Sequence, residues 1–212
     1  MENVIVKKLE LLLFIITMFA TNLAAANPVT NQDLENFAKN NKVELAYDKY
    51  VNIYGDKVKD AVLVFARGDS VRSLDATYAG YQLTSQQKNG HLYNWLYVKY
   101  TVPYKTDRMA KTFNVVCDNN VIYHYNVNAY AGNKSTDYYN KYDSWRTYEI
   151  FSDDLFYDDV LPMQQIKALT VTTWDGYVYI VVQSDYKADR KKISNGAYKL
   201  AALCKMYGKT RD

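Results

Sequence analysis

Two histidines and two cysteines are the whole stock of imidazole and thiol in this 212-residue chain. Nucleophilic catalysis needs a base within reach of the nucleophile and a third group that orients the base. His91 and His124 stand at no telling spacing from a carboxylate or a nucleophile. By strand parity His124 shares a polar face with Ile122, Asn126 and Asn128, so it reads as an exposed strand residue. Cys117 and Cys204 lie in no CxxC pair and beside no histidine, which argues against a catalytic thiol. Asp153, Asp154, Asp158 and Asp159 crowd one stretch, but without the acid-alternating loop and distal glutamate of a calcium site. Acids in a first helical turn are favoured by the helix dipole, and that is the reading followed for them. A zinc site would need more imidazole and thiolate than the chain offers, unless carboxylates made up the number. No GxSxG, glycine-rich phosphate loop or HExxH occurs. The expectation is a protein that is no enzyme and carries no metal or cofactor.

The residues better suited to chemistry of contact are aromatic. Tyrosine reaches 22 residues, an unusual share that favours strands and supplies rigid contact surface with a polar tip. The stretch DYYNKYDSW sets Tyr138, Tyr139, Tyr142 and Trp145 among Asp, Asn and Lys, in what reads as a polar loop. These four and Trp95 are the candidate ligand-binding residues. Tyr93, Trp95 and Tyr97 alternate along one strand and offer a second aromatic face. The bland alternative is that all these rings are ordinary cover for a sheet.

The elements that must carry these residues follow from periodicity. A short helix is expected over 30–41, capped by Thr30 or Asn31, with Leu34, Phe37 and Ala38 as its apolar stripe. Residues 42–55 are ambiguous between strand and helix. Strands are expected over 58–68, 74–83 and 91–102, with SQQKNG as a turn. Strands on either side of a DNN turn follow in FNVVCDNNVIYHYNVNAY, then the aromatic loop, the strand WRTYEIF and an acidic short helix or turn. Asp-Gly at 175–176 marks a hairpin with a type I′ turn, and a helix over 188–206 closes the chain. Arg190, Lys191, Lys192, Lys199 and Lys205 form that helix's wet face. The fold expected is α+β: an antiparallel sheet of about six to eight strands against the C-terminal helix, with the short N-terminal helix at an edge.

The N-terminus has basic Lys7 and Lys8, a short apolar core and a small-residue pattern at Ala24-Ala25-Ala26. That order reads as a signal peptide over 1–26, leaving one secreted domain over 27–212, periplasmic or extracellular. No later stretch is long and apolar enough for a transmembrane helix. A net charge of +3 implies no nucleic acid. Asn133-Lys-Ser is a glycosylation sequon, meaningful only for a eukaryotic source. Phe113, Val115 and Cys117 share a strand face; Ile193, Ala197, Leu200, Ala201 and Cys204 share a helix stripe. If helix packs on sheet, the two cysteines can meet, and an exported chain favours a Cys117–Cys204 disulfide. The other reading is two separate buried thiols acting as small apolar side chains.

WLYVKY, then KTFNVVCDNNVIYHYNVNAY, then the tryptophan of DSWRTYEIFSDDLFYDDV and a late cysteine resemble the surface-adhesin protein E-like domain family. Trp95, Cys117, Trp145 and Cys204 would fill that family's places. The resemblance spans roughly 92–160 plus Cys204. It departs in the hairpin and long helix that precede the late cysteine, and in a missing proline after the second tryptophan. It implies an exported bacterial protein, an α+β or mostly β fold, a bridge between those cysteines, and a binding role toward host matrix ligands. The functional expectation is a non-catalytic binding protein contacting a protein, glycan or envelope ligand. A structural or inhibitor-like envelope protein is the alternative, and an exported hydrolase comes last.

Overall fold

The computed structural model describes residues 28–51, 57–71, 79–103, 109–127, 134–139 and 144–211. The expected signal segment, Asn133 and Tyr142 lie outside the described residues. Helix α1 spans Asn31–Asn41 and begins with a capping box. Asp33 N–H donates to Thr30 Oγ1 at 3.2 Å, and Thr30 N–H donates to Asp33 Oδ2 at 2.8 Å. The two N–H bonds satisfy donors that a helix start leaves orphaned. The Thr30 hydroxyl, donating to Asp33 Oδ2 at 2.7 Å, and then the Thr30 N–H hold the Asp33 carboxyl below the usual carboxylate range.

Ten strands follow among the described residues: β1 Glu44–Val51, β2 Lys57–Val71, β3 Ala79–Lys88, β4 His91–Pro103, β5 Ala110–Cys117, β6 Ile122–Asn126, β7 Lys134–Tyr139, β8 Ser144–Phe151, β9 Ile166–Thr173 and β10 Val178–Val182. Between β8 and β9 lie helix α2, Tyr157–Val160, and a 3-10 turn, Leu161–Gln165. Helix α3, Lys187–Met206, follows β10. The α+β class holds, but the strands form two antiparallel sheets rather than one. A six-stranded sheet runs β1-β2-β3-β4-β8-β7 and a four-stranded sheet runs β10-β9-β5-β6. The chain changes sheet after β4, β6 and β8, which short-range patterning cannot register.

Three local expectations are corrected. The aromatic stretch expected as a loop contains strand β7, whose Tyr138 pairs in register with Trp145. The stretch Ser85–Lys88 belongs to β3, and the turn is Asn89-Gly90, both at positive φ as a type I′ turn requires. At Asp175-Gly176 only Gly176 has positive φ. Thr173 N–H donates to Tyr177 O and Gly176 N–H to Thr173 O, so the loop is a type I turn with a left-handed third residue rather than type I′. The β5–β6 turn repeats this geometry with Asn120 in the left-handed place.

The core lies between the inner faces of the two sheets, where α3 is inserted. Ala61, Leu63, Leu83, Leu96 and Val98 of the larger sheet and Phe113, Val115, Leu169 and Val171 of the smaller are all buried. The expected α3 stripe of Ile193, Ala197, Leu200, Ala201 and Cys204 is buried against them. Tyr100 stacks between Tyr148 and Tyr179 at 5.2 and 5.3 Å, joining the sheets through three rings. Phe37 of α1 meets Phe65 edge-on. Asn31 spans the edge of β2 where β3 pairing has ended, donating to Lys59 O and accepting from Ala61 N–H.

The expected disulfide is not formed. Cys117 and Cys204 are free, buried thiols, each on the apolar face foreseen for it. They meet different neighbours: Cys117 Sγ–H donates to Pro162 O at 3.3 Å, and Cys204 Sγ accepts from Asn94 Nδ2 at 3.4 Å. The 3-10 turn takes the place beside Cys117 that a facing helix would have occupied. Burial raises both thiols, Cys204 to about 12.

Two outcomes are expected. Gly196 sits where an added Cβ would lie 2.8 Å from Phe65 O and 2.9 Å from Ala66 Cβ. Gly196→Ala should therefore destabilise the protein by about 1–3 kcal/mol in urea denaturation, although alanine is the better helix former by about 1 kcal/mol. Thiol titration at pH 8 should find neither cysteine reactive in the native protein and both reactive in denaturant without reductant. A single disulfide in mass mapping would contradict this geometry.

Candidate functional site

Strand parity divides β4 cleanly. Leu92, Asn94, Leu96, Val98 and Tyr100 point inward and are buried; Tyr93, Trp95 and Tyr97 point outward and are half-buried. Register then sets Phe151 of β8 opposite Tyr97, and Gln82, Thr84 and Gln86 of β3 opposite Tyr97, Trp95 and Tyr93. Val64 and Val62 of β2 lie beyond Thr84 and Gln86, and Glu44 and Ala46 of β1 beyond those. Eleven residues from five strands thus share one outer face because those strands are in register.

This face is recessed. Thr84 and Gln86 are only 7 % and 8 % exposed although they point away from the core. The register shift of β2 between Val64 and Ala66 is the kind of bulge that bends and twists a sheet. The recess has a volume of about 510 Å³. One wall is aromatic: Trp95 meets Phe151 edge-on at 6.5 Å, and Tyr97 lies 5.1 Å from Phe151, while Tyr93, just outside the recess, stacks on Trp95 with ring centres 6.1 Å apart. The floor is polar. Gln82 Nε2 donates to Thr84 Oγ1 at 2.9 Å, and Gln86 Nε2 donates to the buried Asp60 Oδ2 at 3.2 Å. The far wall carries the Arg67–Glu44 ion pair at 3.2 Å.

The aromatic wall is braced at both ends. Tyr97 O–H donates to Glu149 Oε1 at 3.0 Å, and Lys99 pairs with the same oxygen at 3.4 Å. At the other end the Lys209 ammonium lies over both Tyr93 and Phe156 while bonding to Leu92 O and Asp154. Rings held this way lose little further freedom when a ligand arrives.

Of the five sequence candidates, Trp95 is central to this wall. Trp145 pairs in register with Pro103, far along β4 from Trp95. Tyr138, Tyr139 and Trp145 are described in their backbone alone, and Tyr142 lies outside the described residues. Glu44, Arg67, Gln82, Gln86 and Phe151 were not foreseen. The alternation of Gln82, Thr84 and Gln86 with Tyr81, Leu83 and Ser85 was the available signal, masked by reading SQQ as a turn.

The remaining chemistry is structural. His124 is exposed, and its Nδ1 lies 2.7 Å from Asn114 Oδ1. Asn114 Nδ2 already donates to Thr170 and Thr172, so its oxygen accepts the Nδ1–H of His124. Asp159 accepts from Phe156 N–H at the start of α2 and pairs with Arg211; Asp154 accepts from Asn94 N–H. Asp154 and Asp159 of the acidic stretch thus cap and brace. Among the described residues no group of three or more His, Cys, Asp or Glu is placed to hold a metal ion, and no helix is long and apolar enough to cross a membrane. Burial, joined by the nearby Asp159, raises the Tyr125 phenol well above its ordinary range, and its O–H donates to Asp159 O.

No protein-family model matches the chain, and neither a curated protein nor a solved structure does.

The wall is separable from the core. Trp95→Ala should lower unfolding stability by about 1–2 kcal/mol, the loss of partial burial and ring contacts. Phe113→Ala, fully buried between the sheets, should cost about 3–5 kcal/mol in the same urea titration.

Proposed function

We propose that this chain is an exported, non-catalytic binding protein whose ligand rests on the outer aromatic face of the six-stranded sheet. The observation that carries the reading is the row Tyr93–Trp95–Tyr97 with Phe151, half-buried on the side of the sheet away from the core. A sheet face turned from the core is ordinarily polar. Here it sets large apolar surface beside fixed amides, the composition by which concave sites combine area with orientation. The ligand is a host matrix protein, a glycan or an envelope component. The resemblance to surface-adhesin protein E-like domains supports the same reading. In that comparison Trp95 and Trp145 would be the shared tryptophans, while the free thiols depart from the bridge the family implies. The groups with strongly raised pKa, Tyr125 and Cys204, are buried and outside the recess, which favours binding over catalysis.

The test is solid-phase binding of the mature chain to a panel of matrix proteins, polysaccharides and envelope polymers. Wild type should retain at least one immobilised ligand, and Trp95→Ala/Phe151→Ala should weaken that retention tenfold or more. Equal retention by both forms would place the site elsewhere, with Tyr138→Ala/Tyr139→Ala as the next variant. Retention of nothing on the panel would favour the structural or inhibitor-like envelope protein.

A further inference from the structure

We propose that the recess takes an uncharged saccharide, one sugar ring lying against Trp95 with its hydroxyls directed to Gln82 and Gln86. This rests on the reading of the outer face as a binding surface and names its ligand class. A pyranose ring is apolar on its faces and polar round its rim. It therefore needs a flat aromatic surface set beside groups that both donate and accept hydrogen bonds. The recess supplies Trp95, Tyr97 and Phe151 on one side and two amides and a hydroxyl on the floor. A primary amide offers two donors and an acceptor, a match to vicinal hydroxyls. The amides are oriented, Gln86 by Asp60 and Gln82 by Thr84. A site of about 510 Å³ lies within the roughly 300–1,000 Å³ that small-ligand sites occupy.

Charge selects among glycans. Among the described residues, the charged ones lining the recess are Glu44 and Arg67, and they pair with each other. Lys99 at the rim pairs with Glu149. Sulfate, phosphate and carboxylate ligands are held by clustered cations, and here Arg67 and Lys99 each face a carboxylate. Topology argues against an extended peptide. A peptide strand adds at a sheet edge through its backbone, whereas the aromatic wall and the amide floor stand on β3, β4 and β8, internal strands paired on both sides, and only the far wall reaches the edge strand β1. The aromatic wall and the floor offer a ligand side chains alone.

An array of uncharged hexose and N-acetylhexosamine oligosaccharides, printed beside sulfated and sialylated ones, tests the proposal with the mature chain. Uncharged glycans should bind, and acidic forms of the same backbones should bind no better. Titration with the best glycan should show at least tenfold weaker binding for Trp95→Ala and for Gln82→Met. Trp174→Ala, at a tryptophan 70 % exposed on the β9–β10 turn, should match wild type. If Trp95→Ala fails to fold, Gln82→Met at the half-buried amide carries the comparison. Binding to no uncharged glycan, a preference for the acidic forms, or unchanged binding by both recess variants would overturn it. A chain that holds a matrix protein through Trp95 but no sugar on the array loses the saccharide and keeps the binding face. A chain that does neither loses both.

Discussion

Helix α3 lies directly on the backbone of β2 at Gly196, with no room for a methyl group between them. Much else depends on that contact. Side chains normally hold a helix away from the strand it packs on, so α3 can approach the β2 backbone this closely only where a side chain is missing. Once seated, it buries Ile193, Leu200, Leu203 and Cys204 and closes the core from one side. The inner face of the larger sheet is then committed to packing. Whatever this protein contacts through that sheet must be met on the other face, whose composition is not that of a core.

Tyrosine serves both faces, and register decides which. Tyr100 and Tyr148 are fully buried and stacked with Tyr179, so these rings bind sheet to sheet. Tyr93 and Tyr97, an odd number of residues away from Tyr100 on the same strand, stand on the outer wall with Trp95. The phenol suits either role, since its ring contributes apolar area and its hydroxyl tolerates a wet rim. An abundance of tyrosine therefore says little about binding until each ring is assigned to a face.

The C-terminal residues belong to the same construction. Lys209 reaches between Tyr93 and Phe156 to Asp154, while Arg211 pairs with Asp159. Two of the four clustered acids, Asp154 and Asp159, thus hold residues 209–211 and the start of α2. Through Tyr93, Lys209 also steadies one end of the aromatic wall.

Much of the fold was legible because short-range periodicity reports which side of an element is apolar. The start of α1, with Thr30 or Asn31 as its cap, the α3 stripe, the alternation of β4 and the shared face of Phe113, Val115 and Cys117 all follow from residue type at fixed spacing; the structure chose Thr30. Strand β7 was not legible: Lys134–Tyr139 carries little aliphatic alternation, and only the pairing with β8 makes it a strand. The division into two sheets was equally hidden, because which strands pair is a question of long-range register. For the cysteines, sequence determined that each faces the core; tertiary structure decided that Pro162 and Asn94, not each other, are their neighbours. Trp95 could be singled out alone, but the recess around it joins residues from Glu44 to Phe151. Their proximity exists only once five strands are aligned, and no local pattern encodes an alignment between distant strands.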